Sequence, residues 1–167
     1  MKKSYVIAAA NENFGIGKEE EIPWDVPGDF QFFKSMTYGC TVVVGRKTFE
    51  NIGMLPGRRF VVLTSDETKE GAGPQRDENG RIRSVEYAHS FEQAFAKCLN
   101  RELPIWIAGG QSLYEHYVGK SKDVFLSRIS GTHNCDKFFP KEKFENCYEP
   151  VSRVPAKGFE MTRYTKI

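Results

Sequence analysis

Apolar and polar positions fall into short blocks along this chain. Tyr5-Val6-Ile7-Ala8-Ala9-Ala10 is a continuous apolar run and Thr41-Val42-Val43-Val44 a β-branched one. Phe60-Val61-Val62-Leu63, Pro104-Ile105-Trp106-Ile107-Ala108 and Val124-Phe125-Leu126-Ser127-Arg128-Ile129 have the same character. Short apolar runs without alternation predict strands buried on both faces. Residues 85–88 and 159–166 add two further strands. Between these blocks the spacing becomes helical. Asp29, Phe32, Phe33 and Met36 fall at i, i+3, i+4 and i+7 behind Pro27, whose fixed φ suits a first helical position. That face, three of its four members large and apolar, is expected to be buried. Phe49, Glu50 and Ile52 give a short helical pattern. Ser90-Phe91-Glu92-Gln93 has the capping-box form ahead of the stripe Phe91, Ala94, Phe95, Cys98, and Gln111 to Tyr117 reads as another helix.

Strand, turn and helix therefore alternate. The prediction is an α/β fold with a central, mostly parallel twisted sheet flanked by helices and joined by right-handed crossovers. The polar, proline-containing stretch before residue 159 points to a C-terminal antiparallel hairpin at the sheet edge. Residues 66–83 read as an exposed excursion with a turn at Asn79-Gly80. Residues 11–21 break the pattern with Gly15 and Gly17, which let a backbone move or approach something closely. The Glu19-Glu20-Glu21 run within them reads as solvated. In open parallel sheets ligands sit at the C-terminal ends of strands, so Gly45, Ser65 and Gly109-Gly110 are expected to gather on one side. No G-x-G-x-x-G and no Walker A sequence is present.

Composition narrows the function. A length of 167 residues with 40% hydrophobic and 13% aromatic content is expected to form one globular domain. A net charge of +2 is too small to argue for nucleic acid or an anionic membrane surface. Cysteines 40, 98, 135 and 147 make no C-x-x-C pair and His89, His116 and His133 no ligand spacing, so no metal site is expected. The cysteines read as reduced thiols of a cytoplasmic protein. No apolar run is long enough to span a bilayer.

Two places carry candidate chemistry. Asp29 heads an apolar stripe, where a carboxylate is costly unless paired, bonded or protonated. The plainer reading makes it a first-turn acid favoured by the helix dipole. The functional reading makes it a desolvated acid with a raised pKa. Gly45-Arg46-Lys47-Thr48 follows a strand and opens a helix, a common anion-binding arrangement. The hydroxyls of Thr64 and Ser65 suit phosphate contacts or an ordinary turn.

Ile22-Pro23-Trp24-x-x-Pro27-x-Asp29-x-x-x-Phe33-Lys34 resembles the active-site signature of the dihydrofolate reductase family. Val44-Gly45-Arg46-Lys47-Thr48-Phe49, Leu55-Pro56-Gly57-Arg58, Ile107-Ala108-Gly109-Gly110 and Asp136-Lys137-Phe138-Phe139-Pro140 follow in the family's order, so the resemblance covers nearly the whole chain. It implies NADPH-dependent reduction of 7,8-dihydrofolate to 5,6,7,8-tetrahydrofolate, by hydride transfer to C6 with protonation of N5, serving one-carbon metabolism and thymidylate synthesis. It also implies a monomer that binds antifolate inhibitors, with residues 40–102 as an adenosine-binding subdomain.

By position, Asp29 is the family's pterin-binding acid. Trp24 would place a water on the proton route, Ile22 would be the hydrophobic lid, and Ser127 stands where a threonine usually bonds the acid. Ile7, Ala9, Phe30, Phe33, Thr48, Ile52, Leu55, Ala108 and Tyr114 would line the folate cleft, and Arg58 would pair the glutamate carboxylate through its bidentate fork. Ala9, Ile16, Gly17, Gly45, Arg46, Lys47, Thr48, Leu63, Thr64, Ser65, His89, Ala108, Gly109, Gly110, Gln111, Ser112, Leu113 and Tyr114 match cofactor positions. Gly109-Gly110 falls on the family's cis link, and Gly15-Ile16-Gly17 on a mobile loop that closes over the nicotinamide.

The chain departs from the pattern in three places. The Ile52-to-Leu55 connection is one residue shorter than the common bacterial form. Ala108 replaces a larger aliphatic residue and widens the pocket near the nicotinamide. Ser112 replaces a basic residue, leaving Arg46, Lys47 and Ser65 to favour NADPH. Two other functions fit parts of the pattern. A riboflavin-pathway reductase has a similar sheet and also uses NADPH, but does not need the aspartate in its Trp-x-x-Pro-x-Asp frame. A non-catalytic nucleotide-binding module has no use for a desolvated acid.

Overall fold

A computed structural model describes residues 4–69, 75–99 and 103–167. In chain order the elements are β1 (Ser4–Ala10), β2 (Gly15–Gly17), α1 (Pro27–Thr37), β3 (Thr41–Gly45), α2 (Arg46–Ile52), β4 (Arg58–Leu63), β5 (Gln75–Arg76) and β6 (Ile82–Ala88). They continue with α3 (Phe91–Leu99), β7 (Ile105–Ile107), α4 (Gln111–Tyr117), β8 (Asp123–Ile129), β9 (Lys137–Phe138), α5 (Lys141–Cys147), β10 (Tyr148–Ala156) and β11 (Phe159–Lys166). Nine strands form one sheet in the order β10-β11-β8-β1-β7-β3-β4-β6-β5. Its centre, from β8 to β6, is parallel throughout, and its edges are antiparallel at β8-β11-β10 and β6-β5. The expected α/β architecture and C-terminal hairpin are both present.

The runs of buried residues alternate between two cores, as side chains on a pleated strand must. Val6, Ala8, Ala10, Val43, Val61, Ile105 and Ile107 face one side with Ala94 and Cys98 of α3, Leu113 and Tyr117 of α4, and Phe144 of α5. Ile7, Val42, Val44, Phe60, Val62, Trp106 and Ala108 face the other, where Phe32, Phe33 and Met36 of α1 and Phe49 and Ile52 of α2 pack. Phe60 is fully buried with its ring 5.0 Å from Phe49, and burial of such a side chain stabilises the fold by about 1.5–3 kcal/mol.

Several expectations change. The α1 stripe is half-buried rather than buried, and in that helix only Thr37 is fully enclosed. The helix packs on the sheet through Phe32, Phe33 and Met36, and Phe30 is left 40% exposed. Gly15 and Gly17 belong to β2, paired with Phe138 and Lys137 of β9. The turn at Asn79-Gly80 is present: the Asp77 carboxylate accepts from the backbone N–H of Asn79 and Arg81 at 2.9 and 2.8 Å, joining β5 to β6. Residues 70–74 of that excursion, Gly71, Gly73 and Pro74 included, lie outside the described residues. In the capping box the Ser90 hydroxyl accepts from Gln93 N–H at 3.1 Å. The reciprocal bond comes from His89 N–H rather than Ser90, at 2.9 Å from Gln93 Oε1. Helix α5, with one buried apolar residue, carries no hydrophobic period and was not expected, and strand β10, exposed along nearly all its length, forms one arm of the expected hairpin. No described helix is long and apolar enough to cross a membrane.

Candidate active site

Asp29 sits in the first turn of α1, behind Pro27, with its N–H bonded to Val26 O at 3.0 Å. The Ser127 hydroxyl from β8 lies near enough to its carboxyl group to favour the charged form. Ser127 is itself buried, between Ala9 of β1 and Met161 of β11. Burial raises the Asp29 pKa above the usual carboxylate range, and the Ser127 hydroxyl only partly opposes it. Of the two, desolvation by burial is the larger effect on this carboxyl group.

Tyr114 of α4 lies against the glycine pair. Its hydroxyl donates to Ile7 O at 2.8 Å. Burial, with the Asp29 charge adding to it, pushes the phenol pKa well up, so it stays protonated and a donor. Its ring lies beneath Gly109, where a Cβ would fall 3.0 Å from the hydroxyl and where φ is 105°. A glycine is needed there on both counts. The Gly109-Gly110 peptide is cis.

The C-terminal ends of four strands meet in a row. Gly109 O accepts from Gly45 N–H at 2.7 Å, which ties β7 to β3. Gly45 pairs in register with Leu63 of β4. Thr64 N–H then bonds Ala88 O at 2.9 Å, and His89 Nδ1 lies 3.1 Å from Thr64 O. Gly45, Thr64, Ser65, His89 and Gly109-Gly110 therefore gather on one side as expected. Thr48 joins them, its hydroxyl 3.3 Å from where a Gly110 Cβ would be. Arg46 and Lys47 are exposed, Arg46 paired with Glu50 at 3.2 Å and Lys47 with Glu20 of the loop before α1.

Other positions are placed less simply. Phe30 and Phe33 stack at 6.2 Å, with Lys34 Nζ 5.2 Å over the Phe30 ring. Ile52, Leu55 and Ala108 lie against the same core as Ile7. Ile22 is 51% exposed. Trp24 packs with Ala9, Val26 and Phe159 and meets the His133 ring edge-on at 5.4 Å. Ile16 packs on the opposite core, and Gly17 O accepts from Asp136 N–H at 2.9 Å. Gln111 Oε1 already accepts from Phe138 N–H at 2.8 Å. Leu113 is fully enclosed in the core, so only its backbone can face a ligand, while Ser112 is exposed. Arg58 is buried, its guanidinium donating to the Thr37 hydroxyl at 3.0 Å and to the carbonyls of Pro56 and Lys34. Among the described residues no cluster of three or more His, Cys, Asp or Glu could hold a metal, and none of the four cysteines forms a disulfide.

Sequence reasoning missed Asn11. Its Oδ1 accepts from Asn13 and Gly15 N–H, each at 2.8 Å, and its Nδ2 donates to His133 O at 2.7 Å. The available signal was an asparagine between an apolar run and a glycine pair, a common turn-former. Thr37 and the backbone carbonyls around Arg58 had no such signal.

The sequence matches the dihydrofolate reductase family over residues 4–165. A dihydrofolate reductase of Staphylococcus aureus is 38% identical over 145 residues, 85% of this chain and 80% of that protein. One of Staphylococcus haemolyticus is 32% identical over 148 residues, 88% of this chain and 82% of that protein. The structure of dihydrofolate reductase from Enterococcus faecalis, complexed with NADP(H) and RAB-propyl, superposes with a TM-score of 0.83 at 29% identity, covering 98% of this chain and 96% of that one. With its acid, its glycine row and nearly its whole length accounted for, this chain belongs to the dihydrofolate reductase family.

Proposed function

We propose that this chain reduces 7,8-dihydrofolate to 5,6,7,8-tetrahydrofolate with NADPH, the hydride going to C6 and a proton to N5, and so supplies one-carbon metabolism and thymidylate synthesis. The observation that carries the reading is a desolvated carboxyl group, Asp29, in a fold that also presents a side-chain-free surface at Gly45, Gly109 and Gly110. A flat nicotinamide needs such a surface, and the exposed cations and hydroxyls beside it suit phosphates. The likeness to a protein complexed with NADP(H) supports the same cofactor.

On this reading NADPH, when bound, supplies the hydride. The chain's residues supply position and a proton. Gly17, Gly45, Gly109 and Gly110 let the cofactor approach the backbone, Arg46, Lys47 and Ser65 hold its phosphates, and His89 lies beside the adenine. Ile7, Ala9, Phe33, Thr48, Ile52, Leu55 and Ala108 wall the pterin, with Phe30 and Ile22 covering it. Asp29 bonds the amino-pyrimidine edge, and Ser127 fixes its carboxyl orientation. With its pKa raised by burial, Asp29 assists protonation of N5 through a water beside Trp24. Arg58 retains one N–H on each Nη for the glutamate carboxylate. Every residue in this scheme comes from one chain, so a monomer suffices, with residues 40–102 holding the adenosine half.

A riboflavin-pathway reductase is disfavoured by the effort the fold makes to desolvate Asp29, and a non-catalytic binding module by the same feature. Oxidation of NADPH that depends on added dihydrofolate tests all three. Its absence with correctly folded protein contradicts the proposal.

A further inference from the structure

The tip of the C-terminal hairpin bears on the helix that carries Asp29. Gly158 turns the chain between β10 and β11 at φ 84°, and a Cβ on it would lie 3.5 Å from Cγ1 of Val26, the residue preceding α1. Next in sequence, the Phe159 ring approaches Gly28 so closely that a Cβ there would sit 3.1 Å from Cε1 and 3.8 Å from Cζ. Phe159 is buried with Ile129 and Met161, and Trp24 and Val26 pack on the same cluster. Met161, two residues further along β11, is the register partner of Ser127. One strand therefore touches α1 beside the acid and backs the hydroxyl that holds it.

We infer that Phe159 is a positioning residue for the reaction. Its ring occupies the space that Gly28 leaves open, fixes how far the first turn of α1 stands from β8, and so sets the depth of the Asp29 carboxyl group. Glycine is a poor helix former, and its use in this first turn is explained by the close approach of the ring. Asp29 is the next residue, so any displacement of Gly28 passes to it directly. The ring also closes the apolar side of the corner to water, consistent with burial being the main cause of the raised Asp29 pKa. The Ser127 hydroxyl of β8 acts on this carboxyl group, whose charge in turn acts on the Tyr114 phenol of α4. Lys157 and Glu160 at the hairpin tip and Asp25 beside Trp24 are exposed.

The inference rests on the proposed role of Asp29, and the test separates the two. The rate of hydride transfer is followed against pH, in single turnovers at saturating NADPH, for Phe159→Leu, Gly28→Ala and the double variant. Phe159→Leu keeps an apolar side chain but removes the ring atoms facing Gly28. It is expected to lower the rate at neutral pH about tenfold or more, as small misplacements do. It is also expected to move the apparent pKa down towards the ordinary carboxylate range while leaving NADPH affinity unchanged. Gly28→Ala forces a methyl group against the ring and is expected to lose a similar factor. In the double variant the shortened side chain makes room for the methyl, so the combined loss falls well short of the product of the two. A wild-type pH profile in Phe159→Leu, or losses that simply multiply, overturns the inference. If Phe159→Leu does not fold, a wild-type profile in Gly28→Ala overturns it as well. If Asp29→Asn is inactive at pH 7 while the Phe159 profile is unchanged, only the positioning role fails. If Asp29→Asn keeps the wild-type rate, the proposed role of Asp29 fails first.

Discussion

The Nε–H of Arg58 donates to the hydroxyl of Thr37 at 3.0 Å, tying β4 to the last turn of α1. That hydroxyl in turn donates to Phe33 O at 2.8 Å. With two further bonds to Pro56 and Lys34 carbonyls, the guanidinium is a strut as well as the proposed partner of the glutamate carboxylate. Arg58→Leu is therefore expected to do two things. It weakens dihydrofolate binding by about 2–5 kcal/mol through the lost carboxylate partner. It also lowers thermal stability, because buried acceptors lose their donors. A pterin lacking the glutamate keeps its affinity for the folded variant. Calorimetric titration of both ligands decides it, since equal weakening would leave Arg58 only the structural role.

The sequence predicts that the loop over residues 11–25 is mobile and closes on the cofactor. Asn11 ties its first part to His133, and a Cβ on Gly15 would lie 2.5 Å from Cys135 Cβ. Ligand-dependent motion is therefore expected in residues 18–25, with residues 11–17 protected in both states. Hydrogen exchange with and without NADPH checks this, and identical exchange across residues 18–25 contradicts it. Gly15→Ala is expected to destabilise the fold by about 1–3 kcal/mol, because a Cβ-to-Cβ clash has no rotamer to relieve it. An unchanged denaturation midpoint would show that the packing there yields.

NADPH is expected to be strongly preferred over NADH. Arg46 and Lys47 lie beside Thr64 and Ser65, where the additional phosphate of NADPH can take charge-assisted bonds. Arg46→Ala is expected to raise KM for NADPH about tenfold or more and to leave KM for NADH unchanged. Equal KM values for the two cofactors, unaffected by the substitution, contradict the assignment.

A carboxyl group whose pKa is raised by folding binds its proton more tightly in the native than in the unfolded chain. Its contribution to stability is full below the unfolded pKa, declines as pH rises to the folded value and stays lost above it. Asp29 therefore destabilises the fold at neutral pH. Asp29→Asn keeps an acceptor for Ser127 without the ionisation, so it is expected to raise the melting temperature at pH 7, with the gain shrinking towards acid pH. A variant less stable than wild type at pH 7 would mean that the carboxylate has a favourable partner there.

The sheet was legible because its strands are short apolar runs, and the helices flanking β3, β4 and β7 because capping and spacing marked them. What escaped has identifiable causes. Gly15-Ile16-Gly17 and Lys137-Phe138 are too short to show a period, so β2 and β9 read as loop. Helix α5 packs through Phe144 with little else buried, so no apolar stripe marks it. The acid, the glycine row and the cations could be read from motifs. Gly15 could not, because its glycine serves packing against Cys135 from a distant segment. The contact between Phe159 and Gly28 joins residues at opposite ends of the chain and leaves no local trace.

The central claim is that Asp29 supplies the proton path to N5. Single-turnover hydride transfer with dihydrofolate and saturating NADPH, followed against pH in wild type and Asp29→Asn, tests it most directly. In wild type the rate is expected to be highest at low pH and to fall above an apparent pKa higher than the carboxylate reference of about 3.9. That value belongs to acid, water and substrate together. Asp29→Asn is expected to be slower by several orders of magnitude at pH 7. The deficit should narrow as pH drops, because substrate protonated in solution no longer needs the acid. An asparagine variant that turns over at the wild-type rate at pH 7 would reduce Asp29 to a first-turn acid and contradict the mechanism.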